Sequence, residues 1–522
     1  MTLMLTLGTA AFGAQKTLPS GKDTGSINVT NLKPGDTVTA YQFVKADYNE
    51  YGFTGYSAIN NYVKDPVAPT AQEVIDMASN AATMTVAAEK KVATGDTEVT
   101  LNGLPVGYYL VMVTSGSETV YSPMIAGIYY SKSATDNTLT NGAISADSDF
   151  EIKAQKCWAK SSTPKLEKTI VTPSSKNSKG DDIAIGGKIT FNLSATVPSY
   201  SKEYKKVTYK IYDIMSEGLD YVDGSMKCFI EKYENNRENI KVTPKVNGGI
   251  IEITFDSKFI LEHPGQKIQV EYQAKLNEKA GVNFDANINK AYLEYSNNPA
   301  SGSTAKTGED KVYVYTFGID SNLFGKSTEK WNEKTKELIK VEEGEYQWVE
   351  TEKESGIFTT TTALEGATFT LTNNKTKKSY TATSDKYGYL KFTGLDAGEY
   401  TLQETDAPDG FTLNDAKHTV VITAEYNQDG TLKSYTIKID DKATSTYTAT
   451  YDKGVIKTIT STKDSQGNIS ESAILKNSKM SFLPSTGGVG TTIFAIVGVV
   501  FVAVALGLHM ILRGKSKLEQ DR

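Results

Sequence analysis

Two cysteines and three histidines in 522 residues leave little for several common chemistries to be built from. Cys157 and Cys228 lie in different regions of the chain and cannot form a disulfide framework; they are expected to stay two independent thiols. His263, His418 and His509 are far apart in sequence, so neither a histidine-based metal site nor a Ser/His hydrolase triad has its components. No metal and no cofactor is expected. Lys and Arg number 56 against 62 Asp and Glu, a net charge of −6, so no basic field invites nucleic acid. Helical periodicity is also scarce and appears only in short stretches such as TAQEVIDMASNAA.

Long apolar runs are rare too, and the clearest one is at the end. TTIFAIVGVVFVAVALGLHMIL, Thr491 to Leu512, holds about 22 residues without a charge, enough helix to cross a hydrocarbon core of roughly 30 Å. The tail after it opens with Arg513, Lys515 and Lys517, which the positive-inside rule leaves in the cytoplasm, so the rest of the chain is exported. At the other end, residues 1–14 read as a secretory signal peptide with a cut near Gly13 or Ala14. They lack a basic n-region, consistent with a start placed too far downstream or a trimmed chain.

What fills the space between is strand. SINVTN, EVTLNG, KITFNLSA, IIEITF, KIQVEYQAKL and HTVVITA alternate apolar and polar residues between Gly, Asn, Asp and Pro turns. This predicts an all-β chain of tandem sandwiches. LNGLPVGYYLV, from Leu101, and FTGLDAGEYTLQE, from Phe392, share a G-L-x-x-G-x-Y frame, so the first and last domains read as variants of one module. Turn-rich, polar stretches divide the chain into 15–160, 161–313 and 314–480, followed by 481–522. A polar segment, STEKWNEKTKELIKVEEGEYQWVETEKESG, reads as a solvated insertion in the third domain.

Three polar residues break the alternation. In PKLEKTI, Lys168 shares a face with Leu166 and Ile170; in VTYKIYDIM, Asp213 shares one with Val207, Tyr209, Ile211 and Met215. In NKAYLEY, Asn289 shares one with Ala291, Leu293 and Tyr295. One domain is therefore expected to bury a lysine, a carboxyl and a carboxamide. Desolvation would push the amine toward neutrality and the carboxyl toward its acid form. A neutral amine is a nucleophile, and a protonated carboxyl hydrogen-bonded to the Asn289 amide would polarise its carbonyl, giving a Lys–Asn isopeptide bond with loss of ammonia. Any single position of this kind is more often an ordinary buried ion pair; three in one domain favour chemistry.

SFLPSTGGVG before a span and a basic tail resembles the cell-wall sorting signal of Gram-positive surface proteins. With GSINVTNLKPGDTVTAYQFVKA, LPVGYYLV, YDIMSEGLDY, LEGATFTL and YTLQETDAPDGF, the whole chain resembles a sortase-assembled backbone (major) pilin. The resemblance implies three Ig-like, Cna-type β-sandwich domains and a C-terminal transmembrane helix. It implies recognition of Leu483, Pro484, Ser485, Thr486 and Gly487 by sortase, with cleavage between Thr486 and Gly487. It implies transfer of the Thr486 carbonyl to a lysine in a V-Y-P-K type motif of the next subunit. Here that place reads Cys157, Trp158, Ala159, Lys160, so Lys160 is the candidate acceptor and Lys165 the runner-up. Lys168, Asp213 and Asn289 match the family's middle-domain triad. In the third domain, Glu404 resembles the family's acid and Asn477 its amide, but Leu323 stands where the lysine is usual; Lys326 would need a bulge at Gly325 to turn inward.

The reading is of a structural subunit and not an enzyme: exported, cut by sortase, joined to neighbouring subunits and fixed to peptidoglycan, extending attachment to a host surface ligand. The alternative is a non-polymerised wall-anchored adhesin that binds a host protein or glycan and needs no acceptor lysine.

Overall fold

The computed structural model describes residues 18–477, except 116–117, 133–142, 145–149, 172–176, 234–235, 320–323, 332–338, 342–344, 352–357, 387, 441–442 and 462–472. The signal peptide, the sorting signal, the span and the basic tail lie outside the described residues. Among those described, no helix is long and apolar enough to cross a membrane.

The chain is all-β, with its buried residues gathered in succession along the sequence. In the first part, Thr24–Thr30 lies between Cys157–Trp158 and Glu98–Pro105, and a six-stranded sheet centred on Thr37–Asn49 and Gly107–Thr114 packs over it. The predicted helix forms as Ala71–Ser79, started by a capping box in which Thr70 Oγ1 accepts from the Glu73 N–H and Glu73 Oε2 accepts from the Thr70 N–H.

The repeated frame has a physical basis. Tyr109 and Tyr400 are both fully buried, and each hydroxyl donates to the carbonyl four residues before it, of Pro105 and Asp396. Gly103 and Gly394, with φ of +70° and +76°, supply the left-handed turn that precedes each tyrosine strand. The same buried hydroxyl anchors the same turn in both domains, while the sheets around it differ.

In the middle part, two sheets face each other. One runs, in order, Leu166–Ile170, Lys188–Thr196, Lys267–Leu276, Lys227–Tyr233, Asn236–Ile240. The other runs Gly180–Asp182, Asp310–Tyr315, Asn287–Asn298, Tyr209–Met215, Ile250–Thr254, Lys245–Asn247. Ile211, Ile251, Ile268, Val270, Leu293 and Val312 are fully buried between them.

The third part is built on a seven-stranded antiparallel sheet with Gly398–Asp406 and Lys417–Tyr426 at its centre. Part of the polar segment is paired as strand among the described residues. It contributes to the strand Phe324–Trp331 and folds as a hairpin of Ile339–Val341 with Glu345–Thr351, extending a second sheet. Of these strands only Ile339–Val341 lies at the sheet edge; Glu345–Thr351 and Phe324–Trp331 are each paired on both sides.

The segment 177–187 of the middle part locks into the third. Asp182 Oδ1 accepts from the Ala397 N–H at 2.5 Å and Oδ2 from the Tyr426 hydroxyl at 2.7 Å. Asn177 Nδ2 donates to the Asn427 carbonyl at 2.6 Å, and the Ile185 N–H to the Gly394 carbonyl at 3.0 Å. Gly180 and Gly430 meet so closely that a Cβ on Gly180 would lie 2.2 Å from the Gly430 carbonyl oxygen. Desolvation is the main cause that pushes the Asp182 carboxyl up, to about 6, against the two hydrogen bonds that favour its charged form. A raised carboxyl contributes stability that is complete below its unfolded value near 4 and is lost as pH rises through about 6. Asp182→Asn, which keeps an acceptor for Ala397, is therefore expected to flatten the acid side of the stability profile. It should also raise stability at pH 7 by about 1 kcal/mol in urea unfolding; an unchanged profile would contradict this account of the joint.

Candidate functional site: a lysine, an acid and an amide between two sheets

The middle sandwich brings together all three residues that break the alternation. Lys168, Asp213 and Asn289 are each fully buried. Asp213 pairs with Ala291 and Met215 with Asn289 across neighbouring antiparallel strands, so the acid and the amide are diagonal neighbours on one face. Lys168 comes from the facing sheet, where its backbone pairs with Leu193 on the edge strand Leu166–Ile170.

An edge strand leaves backbone groups unpaired, and at Lys168 they are taken up. The Lys168 N–H donates to Asp310 Oδ2 at 2.7 Å, and the Lys168 carbonyl accepts from Lys179 Nζ at 2.6 Å. Lys179 Nζ also contacts Asp310 Oδ2 at 2.6 Å. This clamp fixes the backbone from which the buried amine projects.

The amine is enclosed by aromatic rings. Lys168 Nζ lies 5.0 Å from the ring centre of Phe191 and 5.3 Å from that of Tyr272, two residues paired across adjacent strands with ring centres 5.5 Å apart. Nζ donates to Asp213 Oδ2 and, at 3.1 Å, to the Tyr272 hydroxyl. Desolvation pushes the Lys168 amine below its ordinary range, and the Asp213 carboxylate pulls it back in part.

Tyr272 is the residue that the alternation argument passed over. Its hydroxyl donates to Asp213 Oδ1 at 2.7 Å and accepts from Asn289 Nδ2 at 2.7 Å. The expected hydrogen bond from the Asp213 carboxyl to the Asn289 amide is not formed; the tyrosine stands between them, and Asn289 Oδ1 is buried without a partner. KIQVEYQAKL carried the signal, because Ile268, Val270, Tyr272, Ala274 and Leu276 share a buried face, and a hydroxyl on such a face requires a partner. Desolvation holds the Tyr272 hydroxyl well above its ordinary value, so it is protonated at neutral pH.

The other residues fall elsewhere. Lys160 and Lys165 are exposed, as is Trp158, at 64%, whereas Cys157 and Ala159 are buried. Lys160 stands between Cys157–Trp158, paired with Val29–Thr30, and Ser161–Ser162, paired with Val120–Tyr121; its carbonyl accepts from the Ser122 N–H at 3.0 Å. Cys157 and Cys228 are both free and buried, and burial pushes each thiol up to about 12. Glu404 is buried with Tyr400 and Leu402, and its Oε2 accepts from the Asn414 N–H at 2.7 Å. Phe324–Trp331 and Ala473–Asn477 are parallel neighbours, Lys326 opposite Leu475 and Thr328 opposite Asn477. The register passes Gly325 without a shift, so the expected bulge is absent; Phe317–Ile319 and Phe324–Trp331 are separate strands instead. Leu323 and the recognition residues Leu483 to Gly487 lie outside the described residues.

Sequence comparisons cover most of the chain in pieces. A T6 antigen Ig-like domain model matches residues 22–161, a prealbumin-like fold domain model 347–436, and an LPXTG cell wall anchor motif 476–517. The trypsin-resistant surface T6 protein of Streptococcus pyogenes serotype M6 is 26% identical, over 95% of this chain and 96% of its own. The solved structure of the T6 backbone pilin of serotype M6 Streptococcus pyogenes, described as a modular three-domain structure decorated with variable loops and extensions, superposes with a TM-score of 0.59 at 20% identity. It covers 89% of this chain and 100% of that one. The full-length major pilin SpaD of Corynebacterium diphtheriae gives 0.46 at 15% identity, over 90% and 100%.

Tandem β-sandwiches that end in an LPXTG anchor define an exported surface protein fixed to a Gram-positive cell wall. Within that class the chain is similar over nearly its whole length to the T6 surface protein, and it shares the fold of the T6 backbone pilin.

Removing Asp213 strands a buried cation, whereas removing Asn289 leaves the ion pair intact. Asp213→Ala is expected to be less stable than Asn289→Ala by about 3–5 kcal/mol in urea unfolding; equal stability of the two variants would show that the pair carries no such weight.

Proposed function

We propose that the chain is cut between Thr486 and Gly487 and that the Thr486 carbonyl is transferred to Lys160 of the next subunit, after a stage in which Thr491–Leu512 holds it in the membrane. Lys160 is favoured over Lys165 because it is exposed and its backbone is pinned on both sides by short paired strands. We retain the division 15–160, 161–313 and 314–480, with the seams carried a few residues on by the pairing of Ser161–Ser162 and by the strand Asp310–Tyr315.

In the middle domain we propose a Lys168–Asn289 isopeptide bond, with Asp213 as its acid. The observation that carries this reading is the burial of amine, acid and amide at zero exposure around one tyrosine hydroxyl. Closing a loop of this length contributes on the order of 4 to 5 kcal/mol by analogy with disulfide loop entropy. The tie joins the first strand to Asn287–Asn298, with Asp310–Tyr315 following it, so it does not reach the last strand as a simple end-to-end closure would. The relative's name, trypsin-resistant, is what such a tie would produce. In the third domain we propose Lys326, Asn477 and Glu404 as a second site, supported by the adjacent parallel strands of the lysine and the amide. The assembled fibre supports attachment to a host surface ligand; the alternative, a singly displayed adhesin binding a host protein or glycan, is the reading that polymerisation would displace.

Wall extracts boiled in SDS are expected to show a high-mass ladder that collapses to monomer in Lys160→Ala. A ladder that survives would move the junction, to Lys165 first, and a single wall-linked band in the unaltered strain would favour the solitary adhesin. Asn289→Ala should leave the ladder in place but shorten survival in trypsin.

A further inference from the structure

We propose that Tyr272 is a catalytic residue of the bond-forming reaction, its hydroxyl carrying a proton from the Lys168 amine to the departing nitrogen of Asn289. The inference rests on the Lys168–Asn289 bond proposed above and assigns a role to the one group among the described residues that touches both nitrogens. The Tyr272 oxygen is 3.1 Å from Lys168 Nζ and 2.7 Å from Asn289 Nδ2, with Asp213 Oδ1 a further 2.7 Å contact.

The chemistry requires such a group. Lys168 first passes one ammonium proton to Asp213 Oδ2, leaving a neutral amine and a carboxylic acid. Nζ then adds to the Asn289 side-chain carbonyl carbon, giving an adduct with a cationic Nζ and an anionic oxygen. For the Cγ–Nδ2 bond to break, Nδ2 must gain a proton and Nζ must lose one. Direct transfer would pass through a strained four-membered ring, and zero exposure of all three side chains seals the site from bulk solvent. Through the tyrosine the ring has six members. In the adduct Nδ2 changes from a planar amide donor into an amine with a lone pair, so the Tyr272 O–H can turn from Asp213 to Nδ2. The Tyr272 oxygen takes the Nζ proton as it gives up its own. The Cγ–Nδ2 bond breaks, ammonia leaves, the Nζ–Cγ bond remains, and nothing is oxidised or reduced.

The arrangement also explains why a tyrosine and not a phenylalanine faces Phe191. The ring alone would serve the aromatic enclosure of the lysine; the hydroxyl is what bridges the three polar groups.

The test follows the Lys168–Asn289 linked peptide by tandem mass spectrometry in the full chain, extracted in detergent at intervals after a pulse of synthesis in cells lacking sortase. Tyr272→Phe, which keeps the ring, is expected to slow its appearance by about 100-fold or more, the usual share of general acid–base catalysis. Because that variant could also disturb folding, 3-fluorotyrosine placed at the same position retains ring and hydroxyl, and is expected to restore linking. Tyr272→Phe linking at the unaltered rate, or 3-fluorotyrosine failing to restore it, would overturn the relay. Absence of the linked peptide from the unaltered chain would overturn the bond itself, and the relay with it.

Discussion

Lys168 is held between two β-sheets with no exposure to solvent, and much of the middle domain follows from what that demands. A lone ammonium in such a place is strongly disfavoured, so the surroundings must supply a counter-charge, hydrogen-bond acceptors and polarisable rings. Asp213 gives the first, Tyr272 part of the second, and Phe191 with Tyr272 the third. The edge strand that carries the lysine is then fixed from outside by Asp310 and Lys179. Together these hold an amine that desolvation pushes toward its nucleophilic form close to an amide whose oxygen has no partner. The same arrangement that makes burial of the lysine costly makes it reactive.

For the proposed fibre subunit the consequence is mechanical. The described cysteines are free and buried, with thiols too weakly acidic to react readily, so no disulfide carries load. The middle and third domains are zipped by hydrogen bonds and by a close glycine contact, which sets their relation without a covalent link. In a chain joined end to end by the proposed transfer, the weak elements would be the sandwiches themselves, and the proposed bond across the middle one would remove a long stretch of chain from the load path.

Much of this was legible in the sequence wherever a strand alternates cleanly. Period-2 patterning placed Lys168, Asp213, Asn289 and Glu404 on buried faces because a sheet residue has only two directions to point. The tyrosine frame at Gly103 and Gly394 was visible as a repeat, though its cause, a hydroxyl reaching four residues back, was not. Tyr272 was missed because tyrosine counts as apolar in such patterns, and what its hydroxyl touches depends on three other strands. The strands within the polar insertion were not legible, because backbone pairing leaves no trace in hydropathy. The bulge expected at Gly325 failed because alternation was carried across what are two separate strands.

Pulling single molecules by their ends tests the central claim most directly, since a Lys168–Asn289 tie prevents the chain between those residues from extending. The unaltered protein should lack the length increment that this stretch would release, and Asn289→Ala should show it. An increment of full length in the unaltered protein would contradict the account.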